Sequence, residues 1–188
     1  MSGMSSVCPT CGLCCRSYIV TVCGRDVWEI SRQQRLAPTQ FIMAVPQAKD
    51  RADGFRLEAE GQNLQLMLDK QGRFELDRPC IFLVQLAGQH VTCGVYEHRP
   101  VVCRAYPFVS LEDGAAGVRT NALCPPEAWV GVEPNRPPWR DVVSRSEFEF
   151  ELYGEVTARW NERVASLPGR RFALDEYCSY LLLSLIHI

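Results

Sequence analysis

Lysine is nearly missing from this sequence. Of 20 basic residues only Lys49 and Lys70 are lysine, and the rest are arginine. Against 22 acidic residues the net charge is -2, so no basic excess points to a nucleic-acid surface and no nucleic-acid partner is expected. No stretch of 18 apolar residues occurs, which argues against a membrane-crossing helix. The first residues, MSGMSSVCPT, have neither a basic segment nor an apolar one, so a secretory signal is not expected and the cytoplasm is the expected location. There is no GxGxxG, P-loop or HExxH. No Ser/His/Asp set can be read, and Glu97 and Asp113, near cysteine-bearing segments, have no partner that marks them as acid–base groups. Repeats and low-complexity tracts are missing too.

What is present is a globular composition, with 47% hydrophobic and 22% charged residues over 188 positions, which suits a single domain with one core. The pattern predicts a helix over Asp26–Arg35 with Val27, Ile30 and Trp28 turned inward. A second helix is expected from Pro38 through Phe41, Ile42 and Val45. Alternation in FRLEAE (55–60) and LQLMLD (64–69) predicts a hairpin about Gly61–Asn63. A loop at 132–138 precedes a long amphipathic helix, Arg140–Leu167, with Phe148, Leu152, Val156, Trp160 and Val164 as its core stripe. Pro168-Gly169 ends it, and a last helix is expected over Ala173–Leu185. The closing LLLSLIHI resembles the translated remnant of a sequencing adapter, so the natural chain is expected to differ from about Ser184, and His187 to carry no meaning.

Ten cysteines are many for this length. In a reducing compartment such clusters point to metal or redox chemistry rather than disulfides. The first group is Cys8-Pro-Thr-Cys11-Gly-Leu-Cys14-Cys15. A C-x-x-C step lets two sulfurs converge on one metal, and Gly12 permits backbone conformations that other residues resist. Three thiolates at this step with one remote cysteine can hold a [4Fe–4S] cluster, and the same set can close a tetrahedral zinc site. Cys15 is an extra thiol. In extended backbone its side chain diverges from that of Cys14, which suggests two neighbouring centres, or one centre beside a free thiol.

The second group lies downstream. Cys80 follows Arg78-Pro79. Then come Cys93-Gly-Val-Tyr96-Glu-His98-Arg99-Pro100-Val-Val-Cys103-Arg104-Ala-Tyr106-Pro107 and, in NALCPP, Cys124. Proline beside cysteine stiffens a ligand loop. Cys8, Cys11, Cys14, Cys15, Cys80, Cys93, Cys103 and Cys124 together fill two four-coordinate sites with none left over. Cys23, among Val20, Val22 and Gly24, and Cys178, on an apolar helix, read as small core residues. Arg99 and Arg104 flank Cys103. They can offset the negative charge of a thiolate cluster and so act as cofactor-binding residues, or they form an ordinary turn with ion pairs. His98 lies in the variable part of the turn and His90 in a loop.

The runs CxxCGxCC and C-x-V-Y-x-x-R-P-x-x-C-R-x-Y-P resemble the CxxCxxCC, or YkgJ-like, family of zinc- or iron-chelating bacterial proteins. The likeness runs from Cys8 to about Cys124. Tyr106 departs from the family's commoner CRxFP. The resemblance implies that the eight cysteines are ligands, and it includes flagellin lysine N-methylases. The expectations are then a metal-binding α+β domain, with a small, irregular, cysteine-organised β-rich core at about 8–126 and a helical part at about 139–188. The expected cofactor is an iron–sulfur cluster, one or two [4Fe–4S] centres, with zinc as the alternative. A structural zinc module or an iron–sulfur-dependent protein lysine N-methylase, acting on a protein partner, are the alternative functions. A site closed by four thiolates leaves no open position for substrate, which favours the non-catalytic reading.

Overall fold

The structure, a computed structural model, describes residues 8–48, 54–72 and 75–185. Within these residues the helices are α1 Leu13–Ser17, α2 Gly24–Gln34, α3 Val101–Ala105, α4 Trp139–Ala165 and α5 Leu174–Leu185. The strands are β1 Ile42–Pro46, β2 Leu64–Leu68, β3 Leu83–Gln85, β4 Val91–Cys93, β5 Phe108–Ser110 and β6 Ala116–Val118. They pair as three two-stranded antiparallel sheets, β1 with β2, β3 with β4 and β5 with β6. The fold is α+β. No helix among the described residues is long and apolar enough to cross a membrane. The chain divides into two compact units, one of Met1–Val20 with Lys70–Phe148, the other of Thr21–Asp69 with Glu149–Ile188.

The second of these has an ordinary apolar core. In α2, Val27 and Ile30 are fully buried, on the stripe the sequence predicts, while Trp28 is only half-buried. Cys23 stands at the N-cap, and Asp26 Oδ2 accepts from its backbone N–H at 3.0 Å. This is a capping box closed by Asp in place of Glu. Arg35, at φ 55°, ends the helix. On the other side of the core, Phe55 stacks on Tyr177 with ring centroids 3.9 Å apart. Trp160 Nε1 donates to the Arg56 carbonyl at 2.7 Å, so its one polar atom is satisfied inside the core. Helices α2 and α5 pack together, and α5 also meets the turn at Pro38–Gln40.

Three elements differ from the sequence reading. The second helix is instead a 3-10 turn, Pro38–Gln40, followed by β1. The apolar run there has a ladder partner in β2, with Ile42 opposite Leu68 and Ala44 opposite Leu66, and β-branched Ile42 and Val45 fit a pleated surface better than a helix. For the same reason the expected 55–60/64–69 hairpin does not form. Only Phe55 bridges Leu64, and the Arg56 N–H goes to Asn161 Oδ1 at 2.8 Å rather than to a strand. Third, Phe148 is 53% exposed and Leu152 half-buried, whereas Tyr153, Val156, Trp160 and Val164 are buried. A repeat of four advances about 40° too far at each step on a 3.6-residue helix, so a stripe written in fours leaves the core face at one end. The last helix lies at Leu174–Leu185 as expected; residues 186–188 of the adapter-like tail, His187 among them, fall outside the described residues.

The cysteine-bearing unit is built differently. Its apolar cluster is small: Ala105, Phe108, Ala116 and Val143 are buried, with Val118, Trp129, Val132, Trp139 and Val142 packed partly against them. Phe108 meets Trp139 at 5.2 Å between centroids. Three-residue strands and five-residue helices cannot stand alone, so the loops that join them need some other tie.

Candidate metal centre

The N-terminal loop turns sharply before its third cysteine. Thr10 and Gly12 have φ of 52° and 73°, the left-handed region that glycine enters at least cost. A Cβ on Gly12 would stand 2.8 Å from Val91 Cγ2, so glycine is needed here for closeness as well as for conformation. Gly12 caps α1, whose closing bonds are Arg16 N to Gly12 O at 3.1 Å and Tyr18 N to Cys14 O at 2.9 Å. Cys14 and Cys15 therefore lie on a helical turn, not on extended backbone, and their sulfurs are 3.9 Å apart. That explains why the adjacent pair does not diverge.

The remote cysteines are led back to this loop by backbone bonds. Cys80 N donates to Cys15 O at 2.7 Å, and Leu83 N to Cys80 O at 2.9 Å. Leu83 opens β3 and pairs with Cys93 at the end of β4. Cys103 sits in α3, with its N–H on Pro100 O at 2.8 Å. Leu123 N donates to the Tyr106 hydroxyl, which places Cys124, next in sequence, against the same tyrosine. The Tyr18 hydroxyl donates to Asn121 O, and its ring meets Tyr106 edge-on at 5.5 Å.

The thiols respond to one another. The contact between Cys14 and Cys15 pulls Cys14 down to about 7, against the effect of burial, and pushes Cys15 up. After that contact and burial, the negative charges of Cys14, Cys80 and Cys103 raise Cys15 further. Burial carries Cys80 up to about 11, with Cys93 and Cys14 adding to it and Lys70 opposing. Cys93 is raised by burial, then by Cys8 and Cys14, against Arg99. Cys124 is pushed up to about 12 by burial, then by Cys14, Cys11 and Cys8, and a hydrogen bond from Tyr106 holds it back.

Cys23 and Cys178 belong to the other unit. Cys23 is raised first by burial and then by the Asp26 carboxylate, and Cys178 is pushed up to about 12 by burial and then by Asp175. None of the ten cysteines is in a disulfide. Among the described residues no three Cys, His, Asp or Glu side chains stand in a ligating arrangement.

In kind, cysteine thiols suit a thiophilic metal such as zinc or iron, and two cations act on them, Arg99 on Cys14 and Lys70 on Cys80. Arg99 is one of those cations. It lowers Cys14 and Cys93, donates Nε to Tyr96 O at 3.1 Å and lies 4.0 Å over the Tyr96 ring. Arg104 braces the same turn by donating Nε to Arg99 O at 2.6 Å. The other cation, Lys70, was not singled out from sequence, although its rarity was visible there. Tyr18 was missed too, since nothing in its sequence neighbourhood distinguishes it.

The family model CxxCxxCC, described as "Putative zinc- or iron-chelating domain", matches residues 7–125. Neither among curated proteins nor among solved structures does any match the chain significantly. The chain belongs to the CxxCxxCC family.

Proposed function

We propose that this member of the CxxCxxCC family is a non-catalytic metal-binding protein whose Cys8, Cys11, Cys14, Cys15, Cys80, Cys93, Cys103 and Cys124 hold iron–sulfur clusters. What supports the reading is the approach of thiol-bearing segments to one another: Cys14 Sγ and Cys15 Sγ stand 3.9 Å apart, Cys80 N donates to Cys15 O at 2.7 Å, and Cys93 pairs with Leu83, three residues on from Cys80. The Cys8-x-x-Cys11-x-x-Cys14 step, three thiolates with a remote fourth, supports iron–sulfur over zinc. The adjacent sulfurs of Cys14 and Cys15, 3.9 Å apart, are close to the roughly 3.8 Å edge of a tetrahedron at a metal–sulfur distance of about 2.3 Å, so the pair suits one tetrahedral metal of either kind. When bound, such a cluster supplies a structural tie or an electron-transfer group.

The chain's own residues do the rest. Gly12 and α1 present Cys14 and Cys15, the Cys80 N–H fixes its loop to Cys15, and Arg99 offsets thiolate charge from the Cys93–Cys103 turn. Arg104 holds Arg99 in place. A reducing compartment suits thiols kept out of disulfides.

Protein purified without oxygen from iron-replete cells is expected to be brown, to absorb broadly near 400 nm as thiolate-ligated clusters do, and to contain iron with sulfide. Cys23→Ala and Cys178→Ala are expected to keep that metal content. Colourless protein with stoichiometric zinc would overturn the choice of metal. Loss of metal on either alanine change would overturn the ligand assignment.

A further inference from the structure

Lys70 is 2% exposed. A lysine so deeply buried is rare unless its charge is matched. Its surroundings belong to the cysteine loops. Nζ donates to Tyr18 O at 2.8 Å, and Tyr18 is the residue that closes α1 through Cys14 O. The Lys70 backbone pairs with Cys80 across an antiparallel bridge. Its neighbour continues the attachment: Gln71 N donates to Pro79 O at 2.8 Å and Gln71 Nε2 to Leu83 O at 2.6 Å. Lys70 thus joins, by its side chain and its backbone, the two segments that carry Cys14–Cys15 and Cys80.

The residue type matters. In a chain with 20 basic residues and only one other lysine, Lys49, a lysine stands at this buried place. An ammonium is a compact point charge, where a guanidinium is a wide planar fork with five donors to satisfy. A tetrathiolate centre, zinc or iron–sulfur, is negative overall. A buried cation beside it is unscreened by salt, unlike one on the surface. Arg99 is half-buried and acts from the Cys93–Cys103 side; Lys70 acts from the Cys80 side.

We infer that Lys70 is the buried counter-cation of the cysteine centre, and that its charge strengthens the hold of the thiols on a thiophilic metal. This rests on the metal-binding reading above but not on the choice of iron over zinc. The test uses the full-length chain, reduced and free of metal, titrated with Zn²⁺ against a chromophoric chelator. Lys70→Met keeps the stem and removes the charge; Lys70→Arg keeps the charge in a bulkier group. Loss of an outer-shell partner weakens metal affinity roughly 10- to 100-fold, and that is the loss expected for Lys70→Met, persisting at high salt. Lys70→Arg is expected to bind zinc more tightly than Lys70→Met, because charge outweighs shape. A purely packing role would reverse that order, and its observation would overturn the inference. So would zinc affinity in Lys70→Met equal to that of the unaltered protein. If the unaltered protein itself fails to bind zinc, the metal-binding reading falls, and this inference with it.

Discussion

At the scale of the residue, Gly12 does two jobs that no side chain permits. Its φ of 73° and the 2.8 Å approach to Val91 set where α1 begins, and with it the direction of Cys14 and Cys15. Alanine there meets a left-handed penalty of about 1–2 kcal/mol and a contact with Val91 that must shift. Gly12→Ala is therefore expected to retain less metal after desalting, while leaving the fluorescence of buried Trp160 in the other unit unchanged. Metal content equal to that of the unaltered protein would show that the loop tolerates another course.

The turn at Gly12 was readable because the Cys8, Cys11, Cys14 step repeats around it. Lys70 was not readable. Burial of a charge depends on what the chain folds against it, and a local window around Asp69-Lys70 looks like the polar end of a strand.

At the scale of the element, the helices α2, α4 and α5 follow from periodicity, but the strands do not follow from alternation alone. β2 alternates as a strand should, yet its partner is chosen from distant segments; β1 wins because Phe41 and Ile42 can be buried there, while Glu58 and Glu60 could not be. Helices α4 and α5 also carry a pH dependence. Tyr153 and Tyr177, hydroxyls 3.0 Å apart, are both raised above the usual tyrosine value, first of all by burial. Cys23 and Cys178 are raised too, again chiefly by burial.

Each of these acids stays protonated in the folded chain and ionises more readily in the unfolded one. Unfolded cysteine loses its proton near pH 8.5 and tyrosine near pH 10, by the usual approximate values. Above about 8.5 the unfolded state therefore binds fewer protons, and stability falls as pH rises. The urea midpoint of this unit, followed by tryptophan fluorescence with a reductant present, is expected to be level below about pH 8 and to decline steadily above about 8.5. A midpoint level up to about pH 11 would contradict the burial of these groups.

At the scale of the whole molecule, the two compact units differ in what holds them. One buries Trp160, Tyr177, Phe41 and Phe55 completely. The other has short strands and single-turn helices, an apolar cluster about Phe108, and the eight motif cysteines along its chain. Metal binding and folding are coupled where a site ties such loops together. Removing the metal with a chelator under reducing conditions is expected to abolish amide protection at Cys80, Leu83 and Tyr18, while Val27, Leu66 and Trp160 keep theirs. Equal protection with and without metal would mean that the cysteine unit is held by packing alone. This division was only partly readable in advance. The cysteine motifs marked the segments that fall in one unit, but the grouping of Thr21–Asp69 with Glu149–Ile188 depends on long-range burial that no local pattern announces.

The central claim is that the eight motif thiols are the ligands, and X-ray absorption at the metal edge of anaerobically purified protein tests it most directly. The account predicts a first shell made only of sulfur, at about 2.3 Å for zinc or iron thiolates, with metal–metal scattering in the iron–sulfur case. A first shell dominated by nitrogen or oxygen would contradict it.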